Sequence, residues 1–79
     1  MNPQTIKELI IAGLPGADVV VEGDDGTHFQ ARIVSEQFSG KTMVQQHQLV
    51  YKALGEKMGR EIHALSMQTY SPEEWEQQN

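Results

Sequence analysis

Hydrophobic positions in the first part of the chain predict a helix followed by a strand. Apolar side chains recur at helical spacing within residues 6–10, and Asn2 and Pro3 before them are typical of a helix N-terminus. The Gly-Leu-Pro-Gly sequence at 13–16 is expected to end this helix. The β-branched run at 19–21 then indicates a first strand.

A second strand is predicted by strict alternation after the Gly-Asp-Asp-Gly turn at 23–26. One set of alternating side chains is apolar and the other is polar, so one face is expected to meet the core. The apolar set is Phe29, Ala31 and Ile33, and the polar set is His28, Gln30 and Arg32. The two strands are therefore expected to form a hairpin.

A long helix is predicted from about Thr42 to Met58, with Gly59 ending it. A third strand, 62–69, follows, and the intervening helix favours a right-handed crossover that makes this strand parallel to the second. The side chains expected on the inner face of the long helix are Met43, Val44, Val50, Tyr51, Leu54 and Met58.

The chain end predicts a short helical turn with a capping box. Ser71 is the expected N-cap, Pro72 the first residue and Glu74 the reciprocal partner, with Trp75 packing back on the body. The predicted order is α-β-β-α-β-α, an α+β fold with a three-stranded mixed sheet and helices on one face. A chain of 79 residues forms one thin core, so we expect a single domain, 1–75, and a flexible tail, 76–79.

Composition removes several classes of function. The chain contains no cysteine, which excludes disulfides and a self-contained cluster on four thiolates. The net charge of −5 and six scattered cations disfavour nucleic-acid binding. Apolar runs are too short to span a membrane and the start lacks the pattern of a signal peptide, so a cytoplasmic location is expected.

Motifs for catalysis are missing from the sequence. It has no P-loop, dinucleotide fingerprint or recognisable nucleophile motif. Asp24 and Asp25 fall in the predicted turn, and the glutamates near residue 74 fall in the terminal helix, where each is explained by local structure. We therefore expect that the protein is not an enzyme.

Three segments resemble the BolA family. The stretch FSGKTMVQQHQLVYKAL from Phe38 is similar to its F-x-G-K-x-x-x-x-x-H segment, and IHALSMQTYSPEEW from Ile62 is similar to its His-Ala pair, strand and terminal Trp. The hairpin GDDGTHFQA also matches, with its histidine just after the turn. The resemblance covers nearly the whole chain and is greatest to the short, IbaG-like bacterial branch, which is associated with acid stress.

The resemblance implies a fold like the type II KH module, consistent with the predicted element order. It also implies a partner, a monothiol glutaredoxin, with which members of the family share a 2Fe–2S cluster in iron–sulfur trafficking or iron sensing. The C-terminal histidine of the family is matched by His63 and its hairpin ligand by His28. The chain is expected to be a monomer alone and a heterodimer with its partner.

Imidazole ligation makes chemical sense in a chain without cysteine. Two neutral imidazoles could hold one iron while a partner thiolate and a glutathione thiolate hold the other, as histidines replace cysteines on one iron of Rieske centres. Imidazole has an unperturbed pKa of about 6.5 and binds metal only when neutral, so cluster retention is expected to weaken in acid. Cluster loss at about pH 5.5 no faster than at about pH 8, relative to an all-cysteine control, would contradict this expectation.

Two alternatives remain open. The histidines could be structural residues of a plain interaction module, and His47, between Met43 and Tyr51 on the long helix, is expected to be such a packed, hydrogen-bonded residue. Alternatively, a KH-like fold could bind nucleic-acid phosphates through Gly40, Lys41 and Arg32. The segment 39–42 has one glycine rather than the two of a G-x-x-G loop, and neutral glutamines surround His47, which weakens this alternative.

Overall fold

Six regular elements follow one another in the predicted order in a computed structural model that describes residues 1–23, 28–62 and 64–78. They are α1 (Pro3–Gly13), β1 (Asp18–Glu22), β2 (His28–Val34), α2 (Met43–Leu54), β3 (Ala64–Tyr70) and α3 (Pro72–Gln78). Short 3₁₀ turns, Glu36–Phe38 and Gly55–Lys57, flank α2. The α+β fold class is confirmed. Within the described ranges, no helix is long and apolar enough to cross a membrane.

The sheet has the order β1-β2-β3, with β1 antiparallel and β3 parallel to β2. Its inner face carries the apolar set predicted for β2, and α1 and α2 supply the side chains packed against it. The parallel pairing confirms the expected relation of the second and third strands. The buried apolar core consists of Ile6, Ile10, Leu14, Val19, Phe29, Ala31, Ile33, Phe38, Val50, Leu54 and Ile62.

The start and end of α1 follow from local chemistry. The Asn2 side chain accepts a hydrogen bond from the Thr5 backbone N–H at 2.9 Å, which satisfies one of the free donors of the first turn. Gly13 has a further role at the contact with α2, because a Cβ there would lie 2.5 Å from the Cβ of Ala53. Glycine therefore permits the two helices to approach each other.

The predicted end of α2 is wrong by one turn. The α-helix stops at Leu54, and Gly55 adopts a positive φ of 59°, a conformation that glycine takes without steric cost. Met58 then forms an isolated bridge with Ile62, so the segment that was predicted to be the last turn of the helix instead leads to β3.

The inner face of α2 also differs from the prediction. Val50 and Leu54 are buried as expected, but Met43, Val44 and Tyr51 are 65%, 66% and 44% exposed. At 3.6 residues per turn, Val44 and Tyr51 project roughly 100° or more away from Val50, so a stripe centred on Val50 leaves them outside. The buried position one turn before Val50 is a glutamine.

The side chain of that glutamine, Gln46, links α2 by hydrogen bonds to three other parts of the molecule. Its Nε2 lies 3.3 Å from the Phe38 carbonyl, 3.2 Å from the Lys41 carbonyl and 3.0 Å from Glu74 Oε1. Its Oε1 accepts a 2.7 Å hydrogen bond from the Thr69 hydroxyl. The loop before α2, β3 and α3 therefore meet at one buried amide.

The capping box of α3 is confirmed. The Glu74 side chain accepts from the Ser71 backbone N–H at 2.9 Å, and the Glu74 N–H donates to the Ser71 hydroxyl at 3.2 Å. Trp75 packs back as predicted, on the outer side of the sheet against Tyr70, with ring centroids 5.3 Å apart. The helix continues to Gln78, so residues 76–78 of the expected tail are helical, and residue 79 lies outside the described residues.

Candidate functional site

His28 is the first residue of β2 and is exposed on the outer face of the sheet. Its pairing partner across the parallel ladder is Ala64, the first residue of β3, which is also exposed. Because parallel strands run in the same direction, their first residues lie at one edge of the sheet. The predicted parallel arrangement therefore places His28 and Ala64 at the same end of the sheet.

His63 precedes Ala64 in the sequence and lies outside the described residues, as do residues 24–27 of the predicted hairpin turn. The pairing of His28 with Ala64 is thus the structural observation that bears most directly on the predicted pair of ligands. The assignment of His28 and His63 as ligands stays a prediction.

A surface depression surrounds His28 between β1 and β3. Gly23 lies at its rim, where a Cβ would be 2.5 Å from Phe29 Cδ1 and 2.8 Å from the His28 carbonyl oxygen. The sequence indicated Gly23 only as a turn residue, and the fold adds that a side chain there would collide with the backbone that carries His28. The depression is lined by Glu22, Gly23, His28, Phe29, Gln30, Ala64 and Ser66.

His28 is the metal-ligating side chain at this depression with the greatest affinity for iron, beside the carboxylate of Glu22. Among the described residues, no group of three or more histidine, cysteine, aspartate or glutamate side chains is arranged to hold a metal ion. His28 can offer one imidazole nitrogen, and the chain has no thiolate to add. A metal bound at His28 therefore requires ligands beyond this described surface.

His47 lies away from this edge on α2 and is half-buried. Packing against the body agrees with the prediction of a structural histidine. The expected hydrogen bond is not found at Nε2, which is buried without a partner among the described residues.

The three residues that would contact nucleic acid in the alternative prediction lie in two different environments. Gly40 has a φ of 77° in the loop before α2, and the exposed Lys41 follows it. Arg32 is half-buried on the outer face of β2, with its guanidinium carbon 4.6 Å from the centroid of a Trp75 ring.

Carboxylates border the loop that holds Gly40. The Ser39 hydroxyl donates to Glu73 at 3.2 Å, and Gln46, which holds the Lys41 carbonyl, also donates to Glu74. Hydrogen bonds from the Ser71 backbone, from Gln46 and from the Ser71 hydroxyl lower the pKa of Glu74. The pKa of Glu73 is lowered too, by its own backbone N–H and by Ser71 and Ser39. Both groups are ionised at neutral pH and repel a phosphate at this loop.

A family model described as BolA-like protein matches residues 14–74. The chain belongs to the BolA-like family. A BolA homologue from Coxiella burnetii superposes with a TM-score of 0.85 and 44% identity, covering 96% of this chain and 97% of that one. Yeast Fra2 superposes with a TM-score of 0.77 and 32% identity over 95% of this chain and 84% of its own.

Among curated BolA-like relatives, a protein named DNA-binding transcriptional regulator BolA from Vibrio cholerae is 42% identical over 53 residues. The match covers 67% of this chain and 50% of that regulator. The chain thus spans about half the length of this relative. The family and its fold carry over, whereas the activity and partners of the whole regulator do not follow from the match.

Proposed function

We propose that this BolA-like chain is a non-enzymatic partner of a monothiol glutaredoxin and co-ligates a shared 2Fe–2S cluster through His28 and His63. Glutathione is supplied on the partner side, and the pair acts in iron–sulfur trafficking or in the response to iron or acid stress. The observation that carries the proposal is the parallel register of the exposed His28 with Ala64, the residue bonded to His63.

The ligand types that the chain contains support a site in which it provides the ligands of one iron only. A 2Fe–2S cluster needs four protein or small-molecule ligands, and imidazole pairs serve on one iron in Rieske centres. His28 is exposed at the first position of β2, and the close approach at Gly23 leaves no side chain between β1 and the backbone of His28. The thiolates for the second iron must come from the partner, because this sequence has none.

Anaerobic reconstitution with a monothiol glutaredoxin, glutathione, iron and sulfide tests the proposal. We expect a heterodimer whose visible absorption differs from that of the glutaredoxin homodimer. His28→Ala and His63→Ala are each expected to alter that spectrum, since each removes one nitrogen ligand. Size-exclusion chromatography with multi-angle scattering measures the stoichiometry of the complex.

His47→Ala is the matched control, because it removes an imidazole that lies on α2 rather than at the edge formed by the first residues of β2 and β3. It should leave the spectrum unchanged. An unchanged spectrum for both His28→Ala and His63→Ala would refute the ligand assignment. Failure of the wild-type chain to form any heterodimer would favour a module whose histidines are structural.

A second candidate function is nucleic-acid binding through the KH-like fold. It is favoured by the relative from Vibrio cholerae, which is named a DNA-binding transcriptional regulator. Gly40, Lys41 and Arg32 would be the contacts. The carboxylates of Glu73 and Glu74 beside the loop weigh against it.

A further inference from the structure

The outer face of the sheet carries a positively charged side chain, Arg32, on the same strand as His28. Alternation along β2 puts His28, Gln30 and Arg32 on this face. His28 and Arg32 are four residues apart, a separation of about 13 Å at the rise of a strand. The depression around His28 continues along this face as a second one, since the two share Glu22, Gln30 and Ser66 as lining residues.

Trp75 holds the Arg32 side chain in place. The guanidinium carbon lies 4.6 Å from a Trp75 ring centroid, and the Trp75 ring also packs on Tyr70. α3 is itself anchored through Glu74, which is hydrogen-bonded to Gln46 and to the Ser71 backbone. The guanidinium is therefore preorganised, and a ligand that uses it loses little side-chain entropy on binding.

Arg32 forms no salt bridge with a carboxylate in the described part of the chain. Its neighbours across the two ladders are Val20 and Gln68, both uncharged. The carboxylates of this face, Asp18 and Glu22, pair with Val34 and Gln30 and so lie diagonally to Arg32, one on each side of Val20.

The donor groups of Arg32 differ in their access to a ligand. Its Nε is buried and has no hydrogen-bond partner among the residues that the structure describes. That burial leaves the two Nη groups as the donors that a carboxylate can reach, and a carboxylate binds such a pair through parallel hydrogen bonds.

We propose that the partner at His28 lies across the outer face of the sheet and places a carboxylate on Arg32. This inference rests on the proposed function and adds to it a docking contact separate from the ligands. The favoured occupant is a protein surface, because it can contact two points about 13 Å apart on one sheet face. A polyphosphate is disfavoured, because Asp18 and Glu22 lie on the same face and the chain carries a net charge of −5.

Calorimetric titration of an iron-free monothiol glutaredoxin with glutathione into the chain tests this contact. Arg32→Gln is expected to raise Kd about tenfold or more, since a hydrogen-bonded charge pair is lost. Arg32→Lys, which keeps the charge but not the planar fork, should fall between Arg32→Gln and wild type. Lys52→Gln removes the same charge from the exposed surface of α2 and should change Kd less than about twofold.

Absorption spectra of the reconstituted complexes separate this inference from the proposed function. At saturating partner concentration, Arg32→Gln should give the wild-type cluster spectrum, whereas His28→Ala should not. If Arg32→Gln binds as tightly as wild type while His28→Ala alters the spectrum, the docking contact is refuted and the proposed function stands. If Arg32→Gln weakens binding but no cluster forms, the docking contact stands and the cluster role is refuted.

Wild-type NMR spectra make the test independent of whether variants fold. Adding the glutaredoxin to the ¹⁵N-labelled chain should shift the Trp75 indole signal and the amides of Gln30 and Gln68. Unmoved signals at these positions, or no binding of the wild-type chain at all, would overturn the docking contact. So would an Arg32→Gln variant that loses affinity for duplex DNA and keeps its affinity for the glutaredoxin.

Discussion

At the scale of single residues, Gln46 is the side chain that joins the loop before α2 to β3 and α3. It is 1% exposed, and its amide serves two backbone carbonyls, one carboxylate and one hydroxyl. A buried amide that is fully hydrogen-bonded stabilises and orients its neighbours, whereas its removal takes one hydrogen-bond partner from each of them. The sequence offers no sign of this role, because Gln46 lies among other glutamines in a polar part of the helix.

Gln46→Leu is expected to lower the free energy of unfolding by about 2–4 kcal/mol, because it removes four hydrogen bonds and leaves the Lys41 carbonyl and the Thr69 hydroxyl without this partner. Urea denaturation followed by Trp75 fluorescence measures the change. Gln48→Leu, an exposed position on the same helix, should stay within about 0.5 kcal/mol of wild type. Equal stability of the two variants would show that the amide contributes little to the fold.

At the scale of elements, α1 and α2 approach each other at Gly13. Alanine is the better helix former by about 1 kcal/mol, so propensity alone predicts that Gly13→Ala stabilises the protein. The contact decides otherwise, since the new Cβ would lie 2.5 Å from Ala53 Cβ and 3.0 Å from its Cα. The sequence indicated only that a helix ends here, because the approach of a second helix is a tertiary event.

Gly13→Ala is therefore expected to destabilise the protein by about 1–3 kcal/mol, the usual cost of overpacking. Adding Ala53→Gly should recover part of this loss, because it removes the atom that collides. A double-mutant cycle by urea denaturation measures the coupling between the two positions. Strictly additive effects would mean that the helices move apart at little cost.

α3 is attached to the body by an ionised side chain, which makes its attachment sensitive to acid. The pKa of Glu74 is lowered from 4.5 by hydrogen bonds from the Ser71 backbone, from Gln46 and from the Ser71 hydroxyl. A carboxyl whose pKa is lower in the folded state stabilises the fold above its unfolded pKa. That contribution is lost as the pH falls through the folded pKa.

Glu74→Gln should consequently be less stable than wild type at about pH 7, with the difference shrinking below about pH 4.5. Urea denaturation from about pH 7 to about pH 3 measures both curves. Glu76→Gln, on the same helix but not bonded to Ser71 or Gln46, controls for the change in net charge. Parallel curves for wild type and Glu74→Gln would rule out this carboxylate as a source of acid sensitivity.

At the scale of the whole molecule, the net charge and the positions of the cations weigh against the nucleic-acid function. The chain carries a net charge of −5, and the exposed Lys41 stands near the carboxylates of Glu73 and Glu74. A phosphate backbone gains affinity from several cations acting together, which this surface does not offer among its described residues.

Duplex DNA is accordingly expected to show no measurable affinity at about 150 mM salt. Fluorescence anisotropy of a labelled duplex, titrated at about 50 mM and about 150 mM salt, measures it. Lys41→Gln and the control Lys7→Gln should behave alike. Binding that persists at the higher salt and is lost only in Lys41→Gln would support the nucleic-acid function instead.

The sequence by itself determined the element order, the face of β2 that enters the core and the caps of α1 and α3. These features depend on residues a few positions apart, so periodicity and capping chemistry are sufficient to predict them. It also determined that the chain has no thiolate of its own to ligate an iron–sulfur cluster, because it contains no cysteine.

Only the tertiary structure decided which residues meet across the fold. It decided which face of α2 enters the core and that Gln46 is buried there. It also decided the contacts between distant parts of the chain, namely the close approaches at Gly13 and Gly23 and the stacking of Trp75 on Arg32. The register of β2 with β3 likewise put His28 opposite Ala64. Such contacts depend on how elements pack against one another, and packing is set by the whole core rather than by any local pattern.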